Sequence, residues 1–210
     1  MLKIGLTGSI AVGKSFVVSV LGELGCATFD ADKIAHSVME PGRPAYDDIV
    51  RHFGTEVLAP DGSIDRASLG PIVFGDPVRR QMLNDIVHPR VIEEQNRLLA
   101  EAGQRDPDGI AIVDAALMIE SGGYKRFDGL IVVFCDREIQ IDRLMKRNNL
   151  SREEAELRVA AQMSSEEKRR FADYEIDTSG THEETRERVV AMYEQLRLKA
   201  KSSGGSDRFD

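Results

Sequence analysis

Residues 8–15 read Gly-Ser-Ile-Ala-Val-Gly-Lys-Ser and fit GxxxxGK[ST] without a gap. Each residue type answers a need of a polyphosphate. Glycines such as Gly8 and Gly13 let the main chain curl until successive N–H groups point inward as an anion nest. A helix starting at the end of such a loop turns its unsatisfied N–H groups and positive dipole end toward the same phosphates. Lys14 can reach the β and γ phosphates, and the Ser15 hydroxyl can ligate Mg²⁺. The main chain of Ala11, Val12, Gly13, Lys14, Ser15 and Phe16 supplies the remaining donors. A chance match somewhere in a chain this long has a probability of roughly 1% at average residue frequencies. The requirement of a strand before and a helix after makes it rarer, so nucleoside triphosphate binding is expected.

Carboxylates come next. Asp30 and Asp32 end a strand-like run, at the sheet edge where ligands lie in open α/β folds. A carboxylate there can accept the proton of an attacking hydroxyl or hold Mg²⁺. Asp32 is the preferred base and Asp30 a supporting group on the substrate or metal side. A bare helix cap explains either residue singly. Asp114 closes another apolar run and can hold a metal through water. Glu120, a few residues on, can point into the same cleft. Arg143 and Arg147 share a helix face, and residues 137–152 hold five basic side chains against two acidic ones. Arginines of a lid would neutralise a transferring phosphoryl group. Solvated i,i+4 pairs are the plainer account of such a run. His88 precedes Pro89 between two expected helices, either as a boundary residue or as a substrate-side donor. His36, His52 and His182 show no ligand spacing and are expected on the surface.

The elements that must position these groups alternate. A strand is expected at 3–7, a helix at 16–24 stopped by Gly25, and a strand at 27–30. Helices are expected at 33–39, 45–53, 67–74, 78–87 and 90–102, with breaks at Pro41-Gly42, Asp61-Gly62 and Asp76-Pro77. The unbroken apolar runs 110–113 and 130–135 suit strands covered on both faces. Asp136 is the expected cap of a helix at 138–147. Ser151 and Thr181 stand three residues before Glu154 and Glu184, the capping-box spacing, and open helices to about 163 and 199. A last strand is expected at 174–177. The pattern specifies an α/β fold of the P-loop type: a doubly wound parallel sheet, a helical insertion and a helical lid. The expected division is a nucleotide-binding core at 1–32, 104–136 and 164–201, a helical insertion at 33–103, a lid at 137–163 and a flexible tail at 202–210.

Composition narrows the classes. The chain has 210 residues, 41% of them hydrophobic, enough for a real core. Its net charge of −8 argues against a nucleic-acid partner gripped by the whole surface. No apolar stretch reaches the ~20 residues of a membrane span, and the N-terminus lacks a signal-peptide layout. Cys26 and Cys135 form no metal or disulfide spacing and read as buried thiols of a cytoplasmic protein. Nothing specifies an oligomer, and a monomer is expected.

The ordered series of motifs resembles the bacterial dephospho-CoA kinase family. It runs from Ile4–Ser15 through Asp30-Ala31-Asp32-Lys33-Ile34-Ala35, then Phe74-Gly75-Asp76-Pro77…Arg80…Leu83…His88-Pro89. It continues with Ala116-Leu117-Met118-Ile119-Glu120, Gln140-Ile141-Asp142-Arg143-Leu144…Arg147, Gln162 and Ala172–Asp177…Gly180. The chain departs from the family pattern at Ser9, Ala11, Val12, Phe16, Ala116 and Thr178, while Gly8, Gly13, Lys14 and Ser15 keep it. The resemblance implies phosphorylation by ATP, with Mg²⁺, of the ribose 3′-hydroxyl of dephospho-CoA, the last step of coenzyme A synthesis. It implies 33–103 as the helical substrate (CoA) domain, Asp32 as base, Lys14 and the loop on the phosphates, Arg143 and Arg147 in the lid, and His88 on the substrate side. The residues by themselves leave open another small-molecule kinase and a nucleotide-dependent switch. Against the switch stand the missing NKxD motif and a carboxylate pair suited to a hydroxyl acceptor.

Overall fold

The computed structural model describes residues 1–204. Two compact units emerge: Met1–Phe29 with the chain from Ala102 onward, and Asp30–Glu101. The insertion therefore starts earlier and ends sooner than the expected 33–103, and residues 137–163 belong to the larger unit. Of the tail expected at 202–210, residues 202–204 continue the last helix and the rest lies outside the described residues.

Five strands, β1 (Leu2–Thr7), β2 (Ala27–Asp30), β3 (Ile110–Asp114), β4 (Gly129–Phe134) and β5 (Tyr174–Asp177), form one sheet in the order β2-β3-β1-β4-β5. β1 pairs in parallel with β3 and with β4, and β4 in parallel with β5. Putting β1 in the middle explains why its residues are nearly all buried. One sheet face is covered by α1 (Lys14–Glu23) and the final helix (His182–Gly204). Leu2, Ile4, Leu6, Val17, Val20, Leu21, Ile131, Val133, Val189, Met192 and Leu196 share the core between them. At ~25 cal/mol per Å², each such aliphatic side chain contributes about 1.5–3 kcal/mol. α1 ends as the sequence requires. Gly25 takes φ +96°, its N–H donates to Gly22 and the Cys26 N–H donates to Leu21, a Schellman stop.

The smaller unit holds α2 (Ala31–Ser37), α3 (Pro44–Phe53), α4 (Arg66–Phe74) and most of α5 (Pro77–Arg105). α3 buries Ala45, Ile49 and Phe53, one stripe at every fourth residue. One expected break is absent. The helices expected at 78–87 and 90–102 are a single 29-residue helix with Pro89 inside it. Proline removes one hydrogen bond there. Val87, Gln95 and Leu99 are buried at multiples of four on both sides of it, and that common face carries the helix through. His88 is consequently an exposed mid-helix residue and not a boundary.

Back in the larger unit come α6 (Arg137–Asn148), α7 (Arg152–Ala160), α8 (Ser165–Arg169) and α9, the final helix. Asp136 precedes α6 as expected, but its side chain makes no capping bond. α6 stops at Asn149 in the left-handed region, φ 51°. Ser151 opens α7 with a complete capping box. The helix expected to reach 163 ends at Ala160, and Ser164 begins α8 with a second capping box. Among the described residues, no helix is long and apolar enough to cross a membrane.

Candidate active site

The two loop glycines serve different needs. Gly13 precedes α1 in the left-handed conformation, φ 88° and ψ 15°. Among the described residues no side chain caps α1, and its first turn holds no acid, so its leading N–H groups are open to an anion. Gly8 answers a close approach instead: a Cβ there would stand 2.6 Å from the Val133 carbonyl of β4. The remaining left-handed residue of the loop is Ala11, φ 60°, where a Cβ is strained. Val12 is fully buried.

The loop lines a cavity of about 550 Å³, shared with Ala116, Arg143, Arg147, Gln162, Thr178, His182 and Thr185. The Lys14 ammonium is ion-paired with Asp114. That contact explains why the expected metal-side carboxylate lies at the phosphate loop: β1 and β3 are neighbours in register, Leu6 opposite Asp114. Arg143 donates to the Thr178 carbonyl at 2.7 Å and to its hydroxyl at 3.1 Å. Arg147 donates to Asn148 and reaches the cavity from the last turn of α6. Arg152, counted in the basic run, is held by Glu138 and Glu156 on an exposed face. For that residue the solvated-pair account holds.

Of the two acids after β2, Asp30 is the cap. Its Oδ1 accepts from the amides of Asp32 at 2.9 Å and Lys33 at 3.1 Å. Asp32 stands exposed in the first turn of α2, with Arg66 of the same unit as the cation in its field. Asp30 and Asp32 belong to the smaller unit, as does His88.

Glu120 has a partner that the sequence concealed. Both its oxygens accept from Lys168, at 2.8 and 3.1 Å, and Lys168 also donates to the Ala116 carbonyl at 3.0 Å. Lys168 is 1% exposed. Its ammonium therefore ties α8 to the segment after β3, and the Glu120 carboxylate is engaged within the protein. His182 is exposed, as expected, and it also lines the cavity and stacks on Phe16 with ring centroids 4.5 Å apart. Neither contact has a local signal. Lys168 lies 48 residues from Glu120, and a lone histidine after a threonine looks like any helix start.

Burial pushes the Cys26 thiol up to about 12. Cys135 is also raised, mainly by burial, with nearby Arg143 pulling the other way. Burial would raise Asp177 as well, yet its carboxyl is held below the usual range. The Ser179 hydroxyl and amide donate to it, and Arg188 and Arg169 add their field.

A family model described as dephospho-CoA kinase matches residues 2–184. The chain belongs to the dephospho-CoA kinase family. It is 45% identical over 197 residues to the dephospho-CoA kinase of Leifsonia xyli, covering 94% of this chain and all of that protein. Its identity to the dephospho-CoA kinase of Symbiobacterium thermophilum is 49% over 190 residues, 90% of this chain and 79% of the relative. The solved dephospho-CoA kinase of Campylobacter jejuni superposes with a TM-score of 0.70 at 29% identity, covering 94% of this chain and 98% of the other.

Proposed function

We propose that this chain transfers the γ phosphoryl group of ATP to the ribose 3′-hydroxyl of dephospho-CoA, giving coenzyme A and ADP. The observation that carries the reading is the glycine-initiated α1 beneath a cavity that gathers Lys14, Arg143 and Arg147 around the loop 8–16. Such a site offers amides and three cations to a polyphosphate.

Lys14 and the amides from Ala11 to Phe16 hold the β and γ phosphates, Lys14 exchanging Asp114 for a phosphate oxygen as the nucleotide enters. Arg147 and Arg143 neutralise charge on the transferring group. Asp32 takes the proton of the 3′-hydroxyl. The oxygen bonds to the γ phosphorus as its bond to the β–γ bridging oxygen breaks, and ADP leaves. Asp30 orients Asp32 by capping α2, and His88 serves the substrate side. The helical part expected at 33–103 takes dephospho-CoA, and residues 137–163 act as the lid that excludes water.

The donors suit Mg²⁺. Ser15 presents an exposed hydroxyl and Asp114 a carboxylate, the hard oxygens this ion takes. Among the described residues, no group of three His, Cys, Asp or Glu side chains could hold a metal ion unaided. Ser15 would hold the ion directly and Asp114 through water. When bound it would supply positive charge to offset that of the phosphates.

The test is ADP release coupled to a visible reaction, with ATP and a panel of acceptors. Turnover is expected with dephospho-CoA and only background with nucleosides or shikimate. Turnover with a nucleoside and none with dephospho-CoA would overturn the assignment. A cytoplasmic monomer is expected, and sedimentation of the purified protein checks the monomer.

A further inference from the structure

The crest of the phosphate loop is strained and yet held. Ala11 sits at φ 60°, a region natural to glycine and costly for a residue with a Cβ. Both neighbours of Ala11 are fixed by side chains from distant elements. The Ile10 amide donates to Gln162 Oε1 at 2.8 Å, and the Ile10 carbonyl accepts from Gln140 Nε2 at 2.7 Å. The Val12 carbonyl accepts from Thr178 Oγ1 at 2.5 Å. One residue earlier, Ser9 Oγ donates to the Met163 carbonyl at 2.9 Å. Gln140 and Thr178 are 4% and 3% exposed, so their polar atoms have little water to turn to. An unmade bond there is expensive, which makes each contact an insistent one.

We infer that Gln140, Gln162 and Thr178 are positioning residues that impose the anion-binding curl on a loop too poor in glycine to adopt it freely. The inference rests on reading this loop as the cradle of the ATP phosphates, and it deepens that reading. Thr178 does two things with one oxygen. It gives its proton to the loop at 2.5 Å, the Phe134 carbonyl lying farther off at 3.2 Å, and accepts from Arg143 Nη1 at 3.1 Å. The curl of the loop and the placement of the arginine are thereby coupled, as a hydroxyl has a single proton to give. Release of any of the three props lets Ala11 relax toward negative φ, turning neighbouring amides out of the nest.

Three variants test this by calorimetric titration with ATP and, separately, inorganic tripolyphosphate: Gln140→Met, Gln162→Met and Thr178→Val. Each is expected to weaken both ligands by the same factor, about five- to tenfold, the scale of one left-handed alanine. Thr178→Ser keeps the hydroxyl and should bind as the parent does. Adding Ala11→Gly to a weakened variant should recover most of the loss, because glycine holds the positive φ without props. A role in general packing would give no such specific rescue. A variant that melts with the parent yet binds within about twofold of it, or a loss that Ala11→Gly leaves intact, overturns the inference. If one variant fails to fold, the other two carry the test. If the unsubstituted protein binds neither ligand, the fault lies in the phosphate-cradle reading itself.

Discussion

Replacing Glu120 by leucine removes one member of a pair whose other member has nowhere to go. Lys168 is 1% exposed and donates to Glu120 at 2.8 and 3.1 Å and to the Ala116 carbonyl at 3.0 Å. Breaking a buried pair from one side costs ~3–5 kcal/mol, most of it the stranded charge. The Glu120 side chain is 28% exposed, so water already screens part of the attraction and the expected cost falls to ~2–3 kcal/mol. In a chain of this size 1 kcal/mol moves the melting temperature by ~2–4 °C, which places the loss at roughly 5–10 °C. Lys168→Met added to Glu120→Leu removes the stranded charge as well. The Ala116 carbonyl still accepts from Thr7 Oγ1 at 3.1 Å, so it is not orphaned. The double variant should therefore melt within ~3 °C of the parent, more stable than Glu120→Leu alone. The assay is thermal unfolding by circular dichroism at neutral pH, run as a double-mutant cycle. A single variant melting with the parent, or a double variant as unstable as the single, would refute the argument that charge burial is what makes this contact matter.

Asp32→Asn is expected to lower kcat by ~10²–10⁴ with ATP affinity unchanged, as loss of a general base should; steady-state kinetics with nucleotide titration decide, and an active variant would reduce Asp32 to a helix residue. Gly8→Ala sets a Cβ 2.6 Å from the Val133 carbonyl and 2.9 Å from a Val12 methyl. Backbone must shift to admit it, costing ~1–3 kcal/mol and weakening ATP, measured by melting and titration; a neutral substitution would contradict the close approach. Cys26 carries a pH dependence of known sign. Its thiol is pushed up to about 12 in the fold. Between the unfolded value of ~8.5 and that figure the unfolded chain holds fewer protons, so stability falls as pH rises, by up to ~1.4 kcal/mol per unit. The stability gap between the parent and Cys26→Ala, from urea midpoints, should narrow from pH 8 to pH 10; a constant gap would disprove the burial effect.

What the sequence disclosed and what it hid divide along range. Strand ends at Ala27–Asp30 and Tyr174–Asp177 stand where the apolar runs and turn residues put them. The stops at Gly25 and the capping boxes at Ser151 and Thr181 were equally legible, for each is decided within four residues. Pro89 misled because the rule for proline is also local. It weighs one lost bond and takes no account of Val87, Gln95 and Leu99, whose burial outvotes it. The two acids after β2 illustrate the middle case. Spacing alone assigns a cap to either, and only the amides of Asp32 and Lys33, both bonded to Asp30, separate the cap from the free carboxylate.

The phosphate loop is the sharper instance, since its motif is legible while its support is not. GxxxxGK[ST] fixes where glycine, lysine and serine stand, yet it is silent on why Ala11 tolerates a left-handed turn. The reasons lie 130, 152 and 166 residues along the chain, in bonds between Gln140 and Ile10, Gln162 and Ile10, and Thr178 and Val12. A buried glutamine on a helix has the same composition and the same neighbours whether it props a loop or fills a gap. What distinguishes the cases is a loop amide or carbonyl elsewhere in the chain to which the side chain bonds, a property of the fold and not of any window of residues. Departure from a glycine-rich loop is thus best read as a demand placed on distant side chains: each Cβ added to the crest has to be matched by a bond that keeps the crest bent.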